Sequence, residues 1–249
     1  MENNDILSHV YNDLFKNLQE NEINVFLCGK SVSDEESLRA KLQKFLEKYP
    51  RINLVYPEWL FANLLEKKGS DLLTLENILA TDVDKIILPL EGPGSFCELG
   101  SFVMRNDLIN KLIVINDKKF ENKKSFVSNG PLKLMEKRNS GHIFYINDNN
   151  TAAVLKSIED KIKFGKYDRS KRSIINMFSL STYIGLLIGI FQPVDRKYLE
   201  EELRKWNDSI DIKMIDPSIE LLVNKGYIKS RIKSKDTEEL QLSTIGFNY

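Results

Sequence analysis

Short apolar runs alternate with amphipathic stretches over the first two-thirds of the chain. The runs fall at 23–28 (INVFLC), 52–56, 85–90 (KIILPL), 111–116 (KLIVIN) and 142–146. They are rich in β-branched and aromatic residues and lack strict two-residue alternation, which predicts strands buried on both faces. Between them, Ser33 is the expected N-cap of a helix, with Glu36 three residues later as its capping box and a stripe at Leu38, Leu42, Phe45 and Leu46. Further helices are expected at 58–67, at 71–81 and from about 95 to 107. Strands alternating with helices predict an α/β fold, a parallel sheet covered by helices on both faces. Residues 1–19 read as an extra amphipathic helix ahead of the first strand.

The pattern changes near Gly165. A polar, basic connector at 166–172 precedes helical patterns at 174–191, 194–206 and 217–225, the last closed by Gly226. Alternating runs at 227–232 and 240–244 flank a polar turn at 235–239 and predict a hairpin. Helices followed by a hairpin resemble a winged helix. The predicted division is therefore residues 1–165 and 166–249.

Composition narrows the function classes. The 249 residues carry 36 Lys+Arg against 36 Asp+Glu, and 42% are hydrophobic, which excludes a disordered or collagen-like chain. The longest apolar stretch, 183–191, is too short to span a membrane, and residues 1–5 do not read as a secretory leader, so a cytoplasmic protein is expected. Two cysteines, Cys28 and Cys97, make no disulfide framework, and with only His9 and His142 a zinc site is not expected. Zero net charge offers no bulk attraction to nucleic acid. With metal and histidine chemistry disfavoured, carboxylates are the expected catalysts.

The stretch 88–102 (LPLEGPGSFCELGSF) carries the chemistry. A strand runs through a Gly/Pro turn into a helix, and ligands of doubly wound sheets bind beyond the carboxyl ends of strands, where helix N-termini present positive ends. Gly92 and Gly94 let backbone amides approach a phosphate or sugar, and Ser95 can cap the helix. Glu98, about one turn in, can face the same crevice, where a carboxylate can attack or stabilise an electron-poor anomeric carbon. Spacing alone equally allows Ser95 to be only a cap and Glu98 only a complement to the helix dipole.

The segments VFLCGK (25–30), YPEWLF (56–61), LTLENILATDVDKIILPLEGPGSFCELGSF (73–102) and KLIVIND…SFVSNGPLKLM (111–135) resemble the nucleoside deoxyribosyltransferase-like effectors encoded with bacterial retrons. The resemblance implies a flavodoxin/Rossmann-like sheet with a winged-helix tail. It implies Glu98 as the catalytic nucleophile or cation stabiliser and Asp84 and Glu91 as acidic groups near the sugar. It also implies Cys28, Gly29 and Lys30 as the loop after the first strand, with Gly94, Ser95 and Asn129 lining the pocket. Salvage transferases carry a tyrosine near the end of the first strand, where this chain has Phe26, and their C-terminal groups complete a neighbouring pocket. This chain continues instead into a further domain. The resemblance thus implies an N-glycosidase that cleaves a base–ribose bond, with NAD as substrate and no separate cofactor, acting in antiphage defence. It further implies an oligomer or higher assembly with the retron reverse transcriptase and its RNA–DNA hybrid. A salvage deoxyribosyltransferase and a ligand-sensing DNA-binding regulator are the alternatives.

The remaining candidates each have two readings. Lys30 is a phosphate ligand or a solvated lysine; Glu58 a crevice acid or an ordinary first-turn acid; Glu76 a site acid or a surface one. Asp84 is equally a turn former, Cys97 a small buried hydrophobe, His142 a structural residue, and Trp59 and Phe61 packing residues. Lys229, Arg231, Lys233 and Lys235 would share one strand face of the hairpin as a nucleic-acid contact. The connector's Arg169, Lys171 and Arg172 would add to them. The alternative is a solvated hairpin, since 14 basic against 12 acidic residues from 165 onward is a small excess.

Overall fold

The computed structural model describes residues 3–16, 23–30, 34–58, 71–138, 141–165, 167, 174, 176–234 and 237–248. Ser33, Trp59, Phe61, Arg169, Lys171, Arg172 and Lys235 lie outside them, as does most of the helix expected at 58–67. The chain divides into two units, one of residues 22–57 and 76–167, the other of 1–21, 58–75 and 168–249.

The first unit is a five-stranded parallel sheet of β1 (Ile23–Leu27), β2 (Ile52–Val55), β3 (Lys85–Pro89), β4 (Leu112–Asp117) and β5 (His142–Ile146), in the order β2-β1-β3-β4-β5. All five lie where the apolar runs predict them. β1 is buried along its whole length and β4 in all but its last residue, as a sheet covered on both faces requires. Val25, Leu27, Ile87, Ile113 and Ile115 share one core with Leu42 and Leu46 of α2 (Leu38–Leu46) and Ile158 and Ile162 of α7 (Thr151–Lys163). On the other face Phe26 meets the edge of Phe102, ring centroids 6.2 Å apart, in α4 (Pro93–Val103). Because the strand order reverses between β1 and β3, the connections that follow them run outward in opposite directions, which makes this the switch point beyond which such sheets bind ligands.

Local chemistry moves several boundaries. α2 is capped by Ser37, whose hydroxyl accepts from the Ala40 N–H at 3.1 Å, so the helix starts after Glu36 rather than at Ser33. α3 spans Leu72–Asp82. α4 begins at Pro93, whose fixed φ and missing N–H suit a first helical position, and stops at Val103. The extended backbone of Arg105 then separates it from the short α5 (Asn106–Ile109). After β4 a π-turn (Ser128–Leu132) leads into α6 (Lys133–Lys137). α7 is absent from the predicted elements, although Val154, Leu155, Ile158 and Ile162 form its buried stripe.

In the second unit, α1 (Asn3–His9) continues as a π-turn (Val10–Phe15). Leu7, Val10 and Phe15 are buried with Leu180, Tyr183 and Leu187 of α8 (Met177–Phe191). The Tyr183 hydroxyl donates to the Leu7 carbonyl at 2.7 Å, and Trp206 Nε1 donates to Ser8 Oγ at 3.0 Å. The N-terminal helix therefore belongs with the tail and not with a contiguous 1–165 unit: its apolar stripe needs cover, and α8 supplies it. α9 (Arg196–Trp206) and α10 (Ile212–Asn224) follow. Residues 194–195, expected to open a helix, form the strand β6 (Val194–Asp195), beside β8 (Thr237–Leu242) and β7 (Ile228–Ser234) in the antiparallel order β6-β8-β7. Pro217 sits inside α10 rather than at its start, because Asp211 caps the helix by accepting from the Lys213 N–H.

Candidate functional site

The carboxyl ends of β1 and β3 are tied together where the Cys28 N–H donates to the Ile87 carbonyl, and β3 is tied to β4 where the Leu90 N–H donates to the Ile115 carbonyl, both at 2.9 Å. Gly29, Lys30, Glu91 and the start of α4 thus emerge side by side at the switch point. Gly29 has φ +118°, a conformation that disfavours any side chain, and a Cβ there would lie 3.4 Å from Arg39 Cβ. Lys30 is exposed, its ammonium 3.7 Å from Asp34 across water-facing surface.

Arg39 is the residue that the sequence reading missed. It is 1% exposed, and its Nη1 donates to the carbonyl oxygens of Gly29 at 3.2 Å and Lys30 at 2.9 Å. Its guanidinium lies over the ring of the buried Tyr56, 5.3 Å from the centroid, at the end of β2. A buried guanidinium thereby fixes the loop after β1. The signal was available: positions 39, 42 and 46 define the core face of α2, and a charged residue on that face calls for a partner.

The turn after β3 is closed by Ser95, buried at the third position of α4. Its hydroxyl donates to the Gly92 carbonyl at 2.7 Å and accepts from the Gly92 N–H at 3.3 Å. Pro93 has no N–H, so the amides of Gly94 and Ser95 are the helix-terminal donors. An added Cβ at Gly94 would meet nothing within 4 Å, which leaves the backbone open to an approaching group. Glu98 lies one turn behind Ser95 on the half-buried side of α4, with its Oε2 buried.

Glu91 makes a structural contact from this turn. Its Oε1 accepts the Leu38 N–H at 2.8 Å, capping α2 from the turn after β3, while its Oε2 is buried and accepts no hydrogen bond. Asp84 is not in the site. It precedes β3 at the amino end of the sheet, where Oδ2 accepts from the Asn24 N–H at 2.8 Å and its own N–H donates to the Asn24 carbonyl. Seven residues of near-extended chain put it roughly 20 Å from Glu91. Asn129 is exposed on the π-turn, which packs against α4, and its N–H donates to the Ser125 carbonyl.

Other candidates resolve individually. Cys28 is buried, whereas Cys97, expected to be buried, is exposed on the outer side of α4. His142 opens β5 with its ring 6.5 Å from that of Phe144. Burial, then Lys161 and Lys85, push its pKa down and favour the neutral ring. Glu76 is half-buried, and Glu58 is exposed and falls in the second unit. Among the described residues no cluster of three His, Cys, Asp or Glu is placed to hold a metal ion. No described helix is long and apolar enough to cross a membrane.

In the hairpin, Lys229, Arg231 and Lys233 are exposed along β7. Lys233 Nζ donates to Glu239 Oε1, and Arg231 pairs in register with the same Glu239 of β8, so two of these cations sit beside one carboxylate.

Residues 35–230 match the family described as STM3845 retron effector protein. Two curated Escherichia coli proteins are similar over 129 residues each. The Retron Ec86 putative ribosyltransferase/DNA-binding protein is 46% identical over 51% of this chain and 42% of its own length. The Retron Ec73 putative ribosyltransferase/DNA-binding protein is 36% identical over 49% of this chain and 41% of its own length. The matched part thus spans less than half the length of either relative. The family match covers well over half of the present chain, from α2 through the switch-point turn to β7, and the chain belongs to the retron effector family.

Proposed function

We propose that the first unit is a nucleoside deoxyribosyltransferase-like N-glycosidase that cleaves the base–ribose bond of a nucleotide, with NAD as the substrate. The carrying observation is Glu98, held one turn behind the Gly92–Ser95 turn at the β1/β3 switch point, with one carboxylate oxygen buried. The strand order is that of flavodoxin-like sheets, which supports the same reading. In this mechanism the helix-terminal amides of Gly94 and Ser95 receive a phosphate or sugar oxygen. The C1′–N bond then breaks, with its electron pair going to the pyridinium nitrogen, so nicotinamide leaves neutral and needs no general acid. Glu98 stabilises or captures the cationic anomeric carbon, and water adds there with loss of a proton, giving ADP-ribose. Arg39 holds the loop that presents Lys30.

The second unit is proposed as a winged-helix-like module. Its order of α8, β6, α9, α10, β7 and β8, with sheet order β6-β8-β7, supports this. The proposed setting is cytoplasmic antiphage defence, in an assembly with the reverse transcriptase and RNA–DNA hybrid of a retron. The names of the two relatives, which combine ribosyltransferase and DNA binding, support a glycosyl-transferring function next to a nucleic-acid partner.

The test is chromatographic. Purified protein, with its retron partner where needed, is expected to release nicotinamide from NAD, and Glu98→Gln is expected to lose about two to four orders of magnitude in turnover. Full turnover by Glu98→Gln removes the assigned role. Transfer of deoxyribose between two added bases without NAD loss replaces the glycosidase with the salvage transferase.

A further inference from the structure

A second concentration of positive charge lies outside the hairpin, in the segment after β4. Residues 118–138 hold seven basic side chains and two acidic ones, in a chain of zero net charge. The segment leaves the carboxyl end of β4, where Asp117 Oδ1 accepts from the Lys119 N–H at 2.8 Å and starts a 3-10 turn at Lys118–Phe120. Lys119 and Lys123 place their ammonium groups 4.9 and 5.2 Å from the centroid of the Phe120 ring. Residues 118–126 are all exposed, and Phe126 is 86% exposed. The Phe126 ring lies over Gly130, where an added Cβ would come within 3.6 Å of it.

An aromatic ring this open forgoes the burial that a phenylalanine otherwise gains, about 2 kcal/mol. We propose that the loop 118–126 is a contact site for single-stranded nucleic acid, with Phe126 as a stacking platform and Lys118, Lys123 and Lys124 as phosphate partners. Cations spaced between exposed aromatic faces are the arrangement that binds a strand without reading its sequence. A small nucleotide is a poor match, because such ligands bind in concave sites that bury most of their surface, and 118–126 is exposed throughout. A membrane surface would call for a helix with a continuous apolar face, which two rings on a loop do not make. The proposal stands independently of the glycosidase reading.

The experiment is fluorescence anisotropy on the full chain with a labelled oligothymidine of roughly twenty nucleotides, its duplex, and anionic vesicles, over a salt series. Lys123→Glu with Lys124→Glu is expected to weaken strand binding about tenfold or more and to flatten the logarithmic salt slope by about 1.4. Phe126→Ala is expected to weaken strand binding about five- to a hundredfold, and Phe126→Trp to restore it. Lys229→Glu with Lys233→Glu is the hairpin control and is expected to change strand binding less than the loop pair. Circular dichroism checks folding, and Lys→Ala versions replace any charge reversal that fails to fold. Four results overturn the proposal: no strand binding by the wild type, loop variants that bind like it, loss only on hairpin substitution, or binding to vesicles alone.

Discussion

Glu91 reaches across the switch point to accept the Leu38 N–H at 2.8 Å, so the turn that launches α4 also caps α2. One carboxylate thereby couples the two loops that border the candidate crevice. Glu91→Ala is expected to cost about 1 kcal/mol by loss of a cap, read as a lowered urea midpoint. Unchanged stability with abolished turnover would instead make Glu91 a substrate contact.

Behind the same crevice, Gly29 and Arg39 are predicted to be intolerant of change. Gly29→Ala forces a side chain into φ +118° and is expected to destabilise by about 1–3 kcal/mol. Arg39→Met leaves the Gly29 and Lys30 carbonyls without their buried donor, at a cost of about 2–4 kcal/mol. Chemical denaturation of the two variants checks both figures. A Gly29→Ala protein as stable as the wild type would show that the loop conformation is not constrained.

Acid stability is predicted to depend on Glu159. This carboxylate is buried on α7 and is held down to about 2 chiefly by its hydrogen bond to Lys163, at 2.5 Å, with Tyr49 and Lys156 adding to it. Its pKa is depressed on folding, so its contribution is fully present above the ordinary value of 4.5 and is lost as pH falls from there toward 2. Glu159→Gln is therefore expected to flatten the stability–pH profile in that window and leave its shape near neutrality unchanged. An identical acid limb in the variant would refute the assignment.

In the second unit, Arg196 is the ion whose removal should cost most. It lies among Glu200, Asp216, Glu220 and Glu238, with Glu238 at 3.1 Å, and joins α9, α10 and β8. Arg196→Met leaves four carboxylates facing one another and is expected to destabilise by about 3–5 kcal/mol. A loss below about 1 kcal/mol in urea melts would mean that solvent screens the cluster.

The sheet was legible because both faces of its strands are covered, which writes each strand as an apolar run. Val194–Asp195 was not, because two residues cannot display a period. Pro217 misled because proline usually opens a helix, and here a cap six residues earlier decides the start. At the site, the turn around Gly92–Ser95 and the place of Glu98 followed from local sequence. The end of the sheet at which Asp84 lies is a matter of strand direction, and the bond between Glu91 and Leu38 spans 53 residues, so neither is written in neighbouring positions. The basic loop after β4 escaped notice because overall neutrality averages it away.

The hydrogen bond from Tyr183 to Leu7 closes a span of 176 residues. The second unit can bury its first helix only after α8 has been synthesised, so its core is completed late. A cut near residue 165 would therefore not yield two self-sufficient halves: the N-terminal fragment would keep its sheet but expose Leu7, Val10 and Phe15 to water. Expressing the α/β unit alone requires removing that helix as well as the tail.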